Sequence, residues 1–331
     1  MSPIPPFLRH GRRALLTLLA AVAPAAAEPV ALRTTSVPLD REHPERTVVG
    51  PLQYRGGLHV TSNDPRFGGI SSVRVLPGGE RLVAITDEGS WLTARLVLED
   101  GVLRGLAEAE MGPLRGEDAR PLAGKSSRDA ESLDVLPDGS FLVGFEREHR
   151  VMHYPAGTGR PDGVPTRLAP PDGLDRAPLN GGVETIVALR DGQLLLLLEE
   201  GGPGPMSPGW IGRPGGWRRI ALSTEGPLRP SDATLLPSGD LLVLERGYDA
   251  NRGVTSVRLR DVPARDLRAG AVLGGAALAE FKTPLTVDNF EGVSAWSAAG
   301  ETRVLLVSDD NFNAAAGQRT LLMLFRMANP R

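Results

Sequence analysis

The sequence predicts an all-β protein, specifically a β-propeller with blades around a central channel. Its 331 residues include 40 glycines and 29 prolines, a composition typical of many short strands joined by turns. Five segments share one layout: a first strand, a turn that usually contains glycine, and a more apolar second strand. These hairpins span residues 68–89, 130–148, 183–200, 231–247 and 290–311.

The spacing of the hairpins predicts the number of blades. Corresponding positions recur at intervals of about 50 residues, typical of four-stranded blades with loop insertions. We therefore expect five blades; a sixth remains possible if residues 30–39 or 271–284 build another. The predicted third strands are "WLTARLVLE", "RVMHYP", "WRRIAL", "GVTSVRLR" and "RTLLMLFRM". The fifth hairpin lacks a fourth strand, so Leu52–Ser62 is expected to complete that blade and close the ring.

The first residues have the three parts of a secretory signal peptide. Arg12 and Arg13 belong to a basic region, and residues 14–23 form an apolar stretch too short to cross a bilayer. Ala25-Ala26-Ala27 supplies a cleavage signal. We expect export to the periplasm or the medium by the general secretory route, with the twin-arginine route as the alternative.

The predicted organisation is a signal peptide (residues 1–27), an N-terminal extension (28–49) and one propeller domain (50–331). No later segment is apolar over a membrane-spanning length, so stable membrane insertion is not expected after cleavage. The formal net charge of −3 lacks the basic footprint of a nucleic-acid-binding protein. The chain has no cysteine, so disulfides are not expected. The sequence leaves the oligomeric state open.

Acidic residues recur where first strands begin and second strands end, positions that share one face of a propeller. We predict a functional site at this face. The catalytic candidates are Glu131, Glu184, Asp232 and Glu291. The metal-ligand candidates are Glu131, Glu146, Glu245, Asp309 and Asp310. Carboxylates gathered this closely repel one another, and a hard divalent cation such as Ca²⁺ would relieve the repulsion.

Arginines stand among these acids. Arg128, Arg147 and Arg246 are the candidates for binding a small anionic or ester substrate. A competing interpretation is that the acids are simply solvated or pair with neighbouring arginines.

Other chemistries find less support. The sequence contains no G-x-S-x-G nucleophile motif. His149 and His153 are four residues apart in or beside a strand, without the H-E-x-x-H helix of a zinc protease.

Five motifs occur in an order that resembles the phytase-like domain family, whose members are often described as having esterase-like activity of phytase. They are "FGGISS" (67–72), "RDAESLDVLPDG" (128–139), "GGVETIVAL" (181–189), "SDATLLPSGDLLVLER" (231–246) and "DNFEGVSAW" (288–296). The resemblance covers about residues 50–327 and implies an exported β-propeller with hydrolase activity. One departure is Ser71, which stands where three other blades have glutamate.

Two functions follow as expectations. The first is an exported hydrolase of phosphate monoesters or related esters, assisted by a metal held by the carboxylates. The alternative is a non-catalytic propeller that binds a periplasmic ligand or envelope partner through the same face.

The signal-peptide prediction has a direct test. Export should leave a mature chain that begins at Glu28, within a few residues, because cleavage follows the alanine triplet. Intact-mass spectrometry of the exported protein checks this. A mature chain that retains Met1 or Ser2 would contradict the prediction.

Overall fold

The computed structural model describes residues 27–202, 204–249 and 254–327. These residues form five sheets arranged in a ring, which confirms the predicted all-β class and the five-bladed propeller. Apart from Ala27, the predicted signal peptide lies outside the described residues. Within the described ranges, no helix has the length and apolar character needed to cross a membrane.

Each blade begins at its innermost strand and proceeds outward. The N-terminal strands are β1 (Glu28–Pro29), β2 (Leu32–Ser36), β3 (Val48–Val49) and β4 (Leu52–Ser62). Blade one contains β5 (Ile70–Val75), β6 (Arg81–Thr86), β7 (Ser90–Glu99) and β8 (Val102–Pro113). Blade two follows the one-turn helix α1 (Lys125–Arg128) and contains β9 (Ala130–Val135), β10 (Phe141–Phe145), β11 (Arg150–Tyr154) and β12 (Thr166–Arg167).

The remaining three blades continue this order. Blade three contains β13 (Val183–Ala188), β14 (Leu194–Leu198), β15 (Met206–Gly212) and β16 (Arg218–Ser223). Blade four contains β17 (Arg229–Leu235), β18 (Leu241–Asp249) and β19 (Val254–Val262); β20 (Val272–Leu273) then extends blade three, and β21 (Ala276–Phe281) completes blade four. Blade five contains β22 (Phe290–Ala298), β23 (Glu301–Ser308) and β24 (Thr320–Met327). Short 3₁₀ turns lie at Leu174–Arg176, Ala264–Asp266 and Ala314–Ala316.

The ring is closed by β4, as predicted. This strand pairs antiparallel with β24, and Val60 lies opposite Thr320. Outside β4, β2 extends blade five, whereas β1 pairs with β8 of blade one. The segment that contains β1 and β2 therefore connects blade five to blade one.

Two expectations about strands need correction. In blade three, "WRRIAL" was expected to contain the third strand, but β16 is the fourth and β15 is the third. The sequence of β15 contains Pro208, Gly209 and Gly212, residues that weaken strand propensity and made this stretch resemble a loop. Residues 30–39 and 271–284 add strands to existing blades and do not build a sixth.

Apolar packing joins the blades side by side. The innermost strands β5, β9, β13, β17 and β22 contact one another in succession around the channel. Five apolar clusters each lie between two adjacent blades; Leu133 and Phe141 of blade two, for example, pack with Val83 and Trp91 of blade one. Burial of these faces is the main favourable contribution to folding.

A buried arginine crosses the middle of the channel. Arg74 of β5 donates to both carboxylate oxygens of Asp232 on β17, at 2.8 and 3.0 Å, and to Asp134 on β9 at 2.9 Å. It also donates to the carbonyls of Val293 at 2.9 Å and Ala233 at 2.8 Å. Burial opposes the charge, but the two carboxylates raise the pKa of Arg74 above its ordinary value. A further hydrogen bond to the carbonyl of Ile186 on β13, at 3.4 Å, means that this side chain of β5 contacts all four other innermost strands.

Removal of this side chain should destabilise the propeller. Arg74→Met should lower the free energy of unfolding by about 3–5 kcal/mol, because the carboxylate of Asp232 would stay buried without a cation to pair with. The matched control is Arg81→Ala, which breaks an exposed ion pair with Glu108 and should cost less than about 1 kcal/mol.

Urea unfolding measures both effects. The double variant Arg74→Met/Asp232→Asn should regain part of the loss, because it leaves no unpaired buried charge. Equal costs for the channel and control variants would contradict the structural role of Arg74.

Candidate functional site

A cavity of about 360 Å³ opens at the channel mouth where first strands begin and second strands end. We call it the acidic mouth. Its lining residues are Asp87, Lys125, Asp129, Glu131, Glu146, Arg147, Asn180, Glu184, Glu199, Arg246, Glu291, Asp309 and Asn311. Eight are carboxylates and three are cations, so five negative charges remain if every group ionises. Such a site favours cations over free anions.

A β-bulge occurs in each innermost strand, and in three blades the bulged residue lines this mouth. Each bulge leaves one residue without a partner on the second strand. The five bulged residues are Ser71, Glu131, Glu184, Ser231 and Glu291. Because a bulge redirects the side chain of the extra residue, the three glutamates line the acidic mouth.

The second strands supply another ring. In each second strand, one residue pairs with the residue just before the bulged position, and the next residue along the chain belongs to this ring. These ring residues are Asp87, Glu146, Glu199, Arg246 and Asp309. All five line the acidic mouth. Blade four therefore contributes a serine and an arginine at positions where most other blades have acids, which makes the site asymmetric.

Two residues predicted for the site lie elsewhere, and one cause explains both. In blade four the two ring positions are occupied by Ser231 and Arg246. Asp232 is one residue after the first of these positions, and Glu245 is one residue before the second. Asp232 instead binds Arg74 within the channel. Glu245 is buried against Arg260, which donates to it at 2.7 and 3.0 Å.

Two more predicted residues lie beside the acidic mouth without lining it. The Oδ1 atom of Asp310 accepts the backbone N–H groups of Gly69 and Phe312, each at 3.1 Å. Arg128 pairs with Glu88 of blade one. Both residues help to fix the loops around the mouth. The structure does bring together the other predicted residues, namely Glu131, Glu146, Glu184, Glu291, Asp309, Arg147 and Arg246.

Lys125 and Asp129 are site residues that the sequence-based candidates did not include. Lys125 lies on α1, and its Nζ is 2.8 Å from Asp87 and 2.6 Å from Asp129. Arg147 also donates to Asp129. The available signal was the position of Asp129 two residues before Glu131, with Lys125 one helical turn earlier.

Three carboxylates of the acidic mouth can share a cation. One oxygen from each of Asp129, Glu131 and Glu146 lies within 4.8 Å of the others. Across the described residues, no hydrogen bond or ion pair reaches the carboxylate of Glu131 or that of Glu184. Only 7% of Glu184 is exposed. The carboxylate oxygens of Glu131 and Glu184 are not among the fully buried polar atoms without a partner, so they stay open to the cavity, where a proton, water or a cation can reach them.

Burial and mutual repulsion shift the proton affinities of these groups. Burial raises the pKa of Glu146 and Glu291 to about 7 and that of Asp309 to about 8. Burial and then neighbouring carboxylates raise the pKa of Glu131 and Glu184 well above the ordinary range. Asp129 differs: burial opposes its charge, but hydrogen bonds from Lys125 and Arg147 lower its pKa.

Comparison with known proteins places the chain in a family. The sequence model described as Phytase-like, esterase-like activity of phytase, matches residues 65–312, a range that includes all five hairpins. The chain belongs to this family. The match confirms the resemblance seen in the five motifs.

Solved structures with similar architecture are distant. Virginiamycin B lyase from Staphylococcus aureus has a TM-score of 0.41 and 8% identity, covering 90% of this chain and 100% of that one. The PQQ-bound aldose sugar dehydrogenase from Streptomyces coelicolor has a TM-score of 0.42 and 14% identity, with coverage of 89% and 98%. No curated protein matches the chain. At these similarities neither structure bears on the activity of this chain.

The raised pKa values predict how stability depends on pH without a metal. A carboxyl whose folded pKa lies above its unfolded value stabilises the fold at low pH, and this contribution is lost as pH rises through the folded pKa. Glu291 changes from an ordinary 4.5 to about 7, so the free energy of unfolding should fall between about pH 5 and pH 8.

Urea unfolding in EDTA across this pH range tests the prediction. Glu291→Gln should reduce the fall by about 3 kcal/mol, because the variant has no carboxyl to deprotonate. Exposed Glu80, in the turn between β5 and β6, provides the matched control Glu80→Gln, which should leave the slope unchanged. A stability that is flat or rises over this range would contradict the assigned pKa shifts.

Proposed function

We propose that this protein is an exported hydrolase of phosphate monoesters or related esters that acts with a bound metal at the acidic mouth. The observation that carries this proposal is that Glu131 and Glu184 line the cavity without protein partners. Glu131 also forms a potential metal-binding cluster with Asp129 and Glu146. Family membership supports the hydrolase class. The signal-peptide pattern supports export.

The donor set suits a hard divalent cation. Asp129, Glu131 and Glu146 offer only oxygen ligands, which Ca²⁺ prefers, and backbone or water oxygens can complete its coordination. These three residues would hold the cation. When bound, such a cation polarises a phosphoryl or carbonyl oxygen and lowers the pKa of a coordinated water.

Glu291 is suited to accept a proton from the attacking water. Its pKa near 7 matches neutral pH, where a general base is most effective. Asn289 donates to Oε1 of Glu291 at 2.9 Å, and Arg246 pairs with the same oxygen at 2.8 Å, so the carboxylate is held in one orientation. Glu184 lies in the same ring and can serve with it.

Arg147 and Arg246 can offset the negative charge of the substrate. Each is partly exposed, with 27% and 28% of the side chain accessible, and each uses one nitrogen in its ion pairs. Their other terminal guanidinium N–H groups can bind an oxyanion through charge-assisted hydrogen bonds, whereas Nε of Arg246 is buried.

Substitutions that keep side-chain size should separate metal binding from proton transfer. Glu131→Gln should weaken Ca²⁺ binding, seen as a smaller rise in melting temperature on addition of calcium chloride. Glu291→Gln should lower kcat by about 100-fold with a smaller change in Ca²⁺ binding. The control Glu80→Gln should match the parent in both assays.

The assays are calcium-dependent melting and hydrolysis of p-nitrophenyl phosphate and p-nitrophenyl acetate. If both site variants match the parent in activity and in melting shift, the site assignment is wrong. A melting shift in the parent without turnover of any ester would favour the alternative, a binding propeller that uses the same mouth.

A further inference from the structure

Three exposed apolar residues lie close in sequence to residues that line the acidic mouth. The largest exposed hydrophobic residues of the described chain fall into two groups of three. Val48, Val164 and Val272 lie in or beside outer strands of blades. The other group, Leu179, Tyr248 and Phe312, is 62%, 61% and 47% exposed and belongs to three different blades or their connections. We call this second group the apolar rim.

Each member of the apolar rim adjoins a residue that lines the cavity. Leu179 precedes Asn180, and Phe312 follows Asn311. Tyr248 lies two residues after Arg246 on β18, and alternate side chains of a strand project from the same face. The backbone of each rim residue is therefore near the opening, and for Phe312 the position of the ring is also defined by its contacts.

Phe312 is held in place by specific contacts. Asp309 and Asp310 accept the backbone N–H groups of Asn311 and Phe312, at 2.7 and 3.1 Å. The carboxylates of Asp309 and Asp310 thereby stabilise a left-handed backbone, with φ of 48° at Asn311 and 49° at Phe312. Bulky residues rarely adopt this conformation. Backbone in such a conformation is often found where a ligand is bound.

The Gly68–Gly69 pair makes room for the aromatic ring. A Cβ on Gly69 would lie 2.6 Å from Cε2 of Phe312 and 2.1 Å from Oδ1 of Asp87. The ring edge is therefore a close neighbour of a carboxylate in the cavity. This contact also gives a physical role to the "FGGISS" motif, because a side chain at Gly68 or Gly69 would collide with the ring.

The negative charge of the acidic mouth limits the number of anionic groups on a substrate. Lys125, Arg147 and Arg246 are the cations of its lining, and each already pairs with a lining carboxylate. One anionic group can bind at a metal. Further phosphates on the same molecule would meet uncompensated carboxylates, and like charges at close range repel strongly.

We infer that the preferred substrate has one phosphate or ester group joined to an apolar, preferably aromatic, moiety that contacts the apolar rim. This inference rests on the proposed function and specifies its substrate class. In the reaction, the oxygen of water bonds to the phosphorus or carbonyl carbon, and the bond to the leaving oxygen breaks. That oxygen receives the proton lost by the water. The apolar moiety stays against Phe312 and Tyr248.

Kinetics on matched substrates test the inference. The parent should hydrolyse benzyl phosphate with a higher kcat/KM than methyl phosphate, whose leaving alcohol is similarly basic, and inositol hexakisphosphate should be the poorest of the three. Phe312→Ala and Tyr248→Ala should each lower kcat/KM on benzyl phosphate by about fivefold, because each removes part of an apolar contact. Neither variant should change kcat/KM for methyl phosphate. The control Val272→Ala, at the outer edge of blade three, should leave kcat/KM unchanged for both substrates.

A binding measurement separates this inference from the proposed function. Calorimetry with calcium chloride present should show that phenylphosphonate binds more tightly than methylphosphonate, and that Phe312→Ala and Tyr248→Ala remove most of the difference. Equal binding of the two phosphonates, or a preference that survives both substitutions, would overturn the inference even if the protein is a hydrolase. A rim-dependent preference without turnover would support the inference and contradict the proposed function.

Discussion

The buried contact between Arg74 and Asp232 is the interaction on which the arrangement of the channel depends. Apolar packing between blades gives the ring its stability, and the polar contacts of Arg74 add directional constraints inside the channel. The guanidinium group binds carboxylates and carbonyls of β9, β13, β17 and β22. It therefore fixes the heights of these innermost strands relative to β5. The bulges nearer the mouth take their positions from these strands.

The same register concentrates negative charge at one end of the channel. Glutamates from blades two, three and five meet there, and burial makes their ionisation unfavourable. A fold selected for stability alone would not retain Glu184 buried and without a partner, since an apolar residue would cost less. Retention of such groups is typical of active sites, where stability is given up for function. The centre of the channel, where Arg74 pairs with Asp134 and Asp232, and the carboxylate-rich mouth thus have separate roles.

The sequence was sufficient for the fold because each blade repeats one hairpin with a clear turn. It was insufficient where local composition or register departs from the repeat. Pro208 and its neighbouring glycines concealed the third strand of blade three. In blade four, Asp232 and Glu245 looked like members of the acidic rings, but the true positions hold Ser231 and Arg246.

Counting residues back from the turn would have identified Ser231, and not Asp232, as the ring position of blade four. Glu131 and Glu184 stand five residues before the leucine that begins the turn, and the residue five before Leu236 is Ser231. The contribution of Lys125 was harder to predict, because it depends on the path of a short helix from blade one to blade two. Long-range contacts of this kind leave no periodic signal in a sequence.

The account rests on the claim that the acidic mouth binds a divalent cation. The most direct measurement is an anomalous difference map from a crystal of the mature protein grown with calcium chloride. We expect a peak between the carboxylates of Asp129, Glu131 and Glu146, with oxygen ligands at about 2.3–2.6 Å. The claim would be contradicted if the map showed no peak at the acidic mouth at a calcium concentration that supports hydrolysis, or if calcium bound only elsewhere.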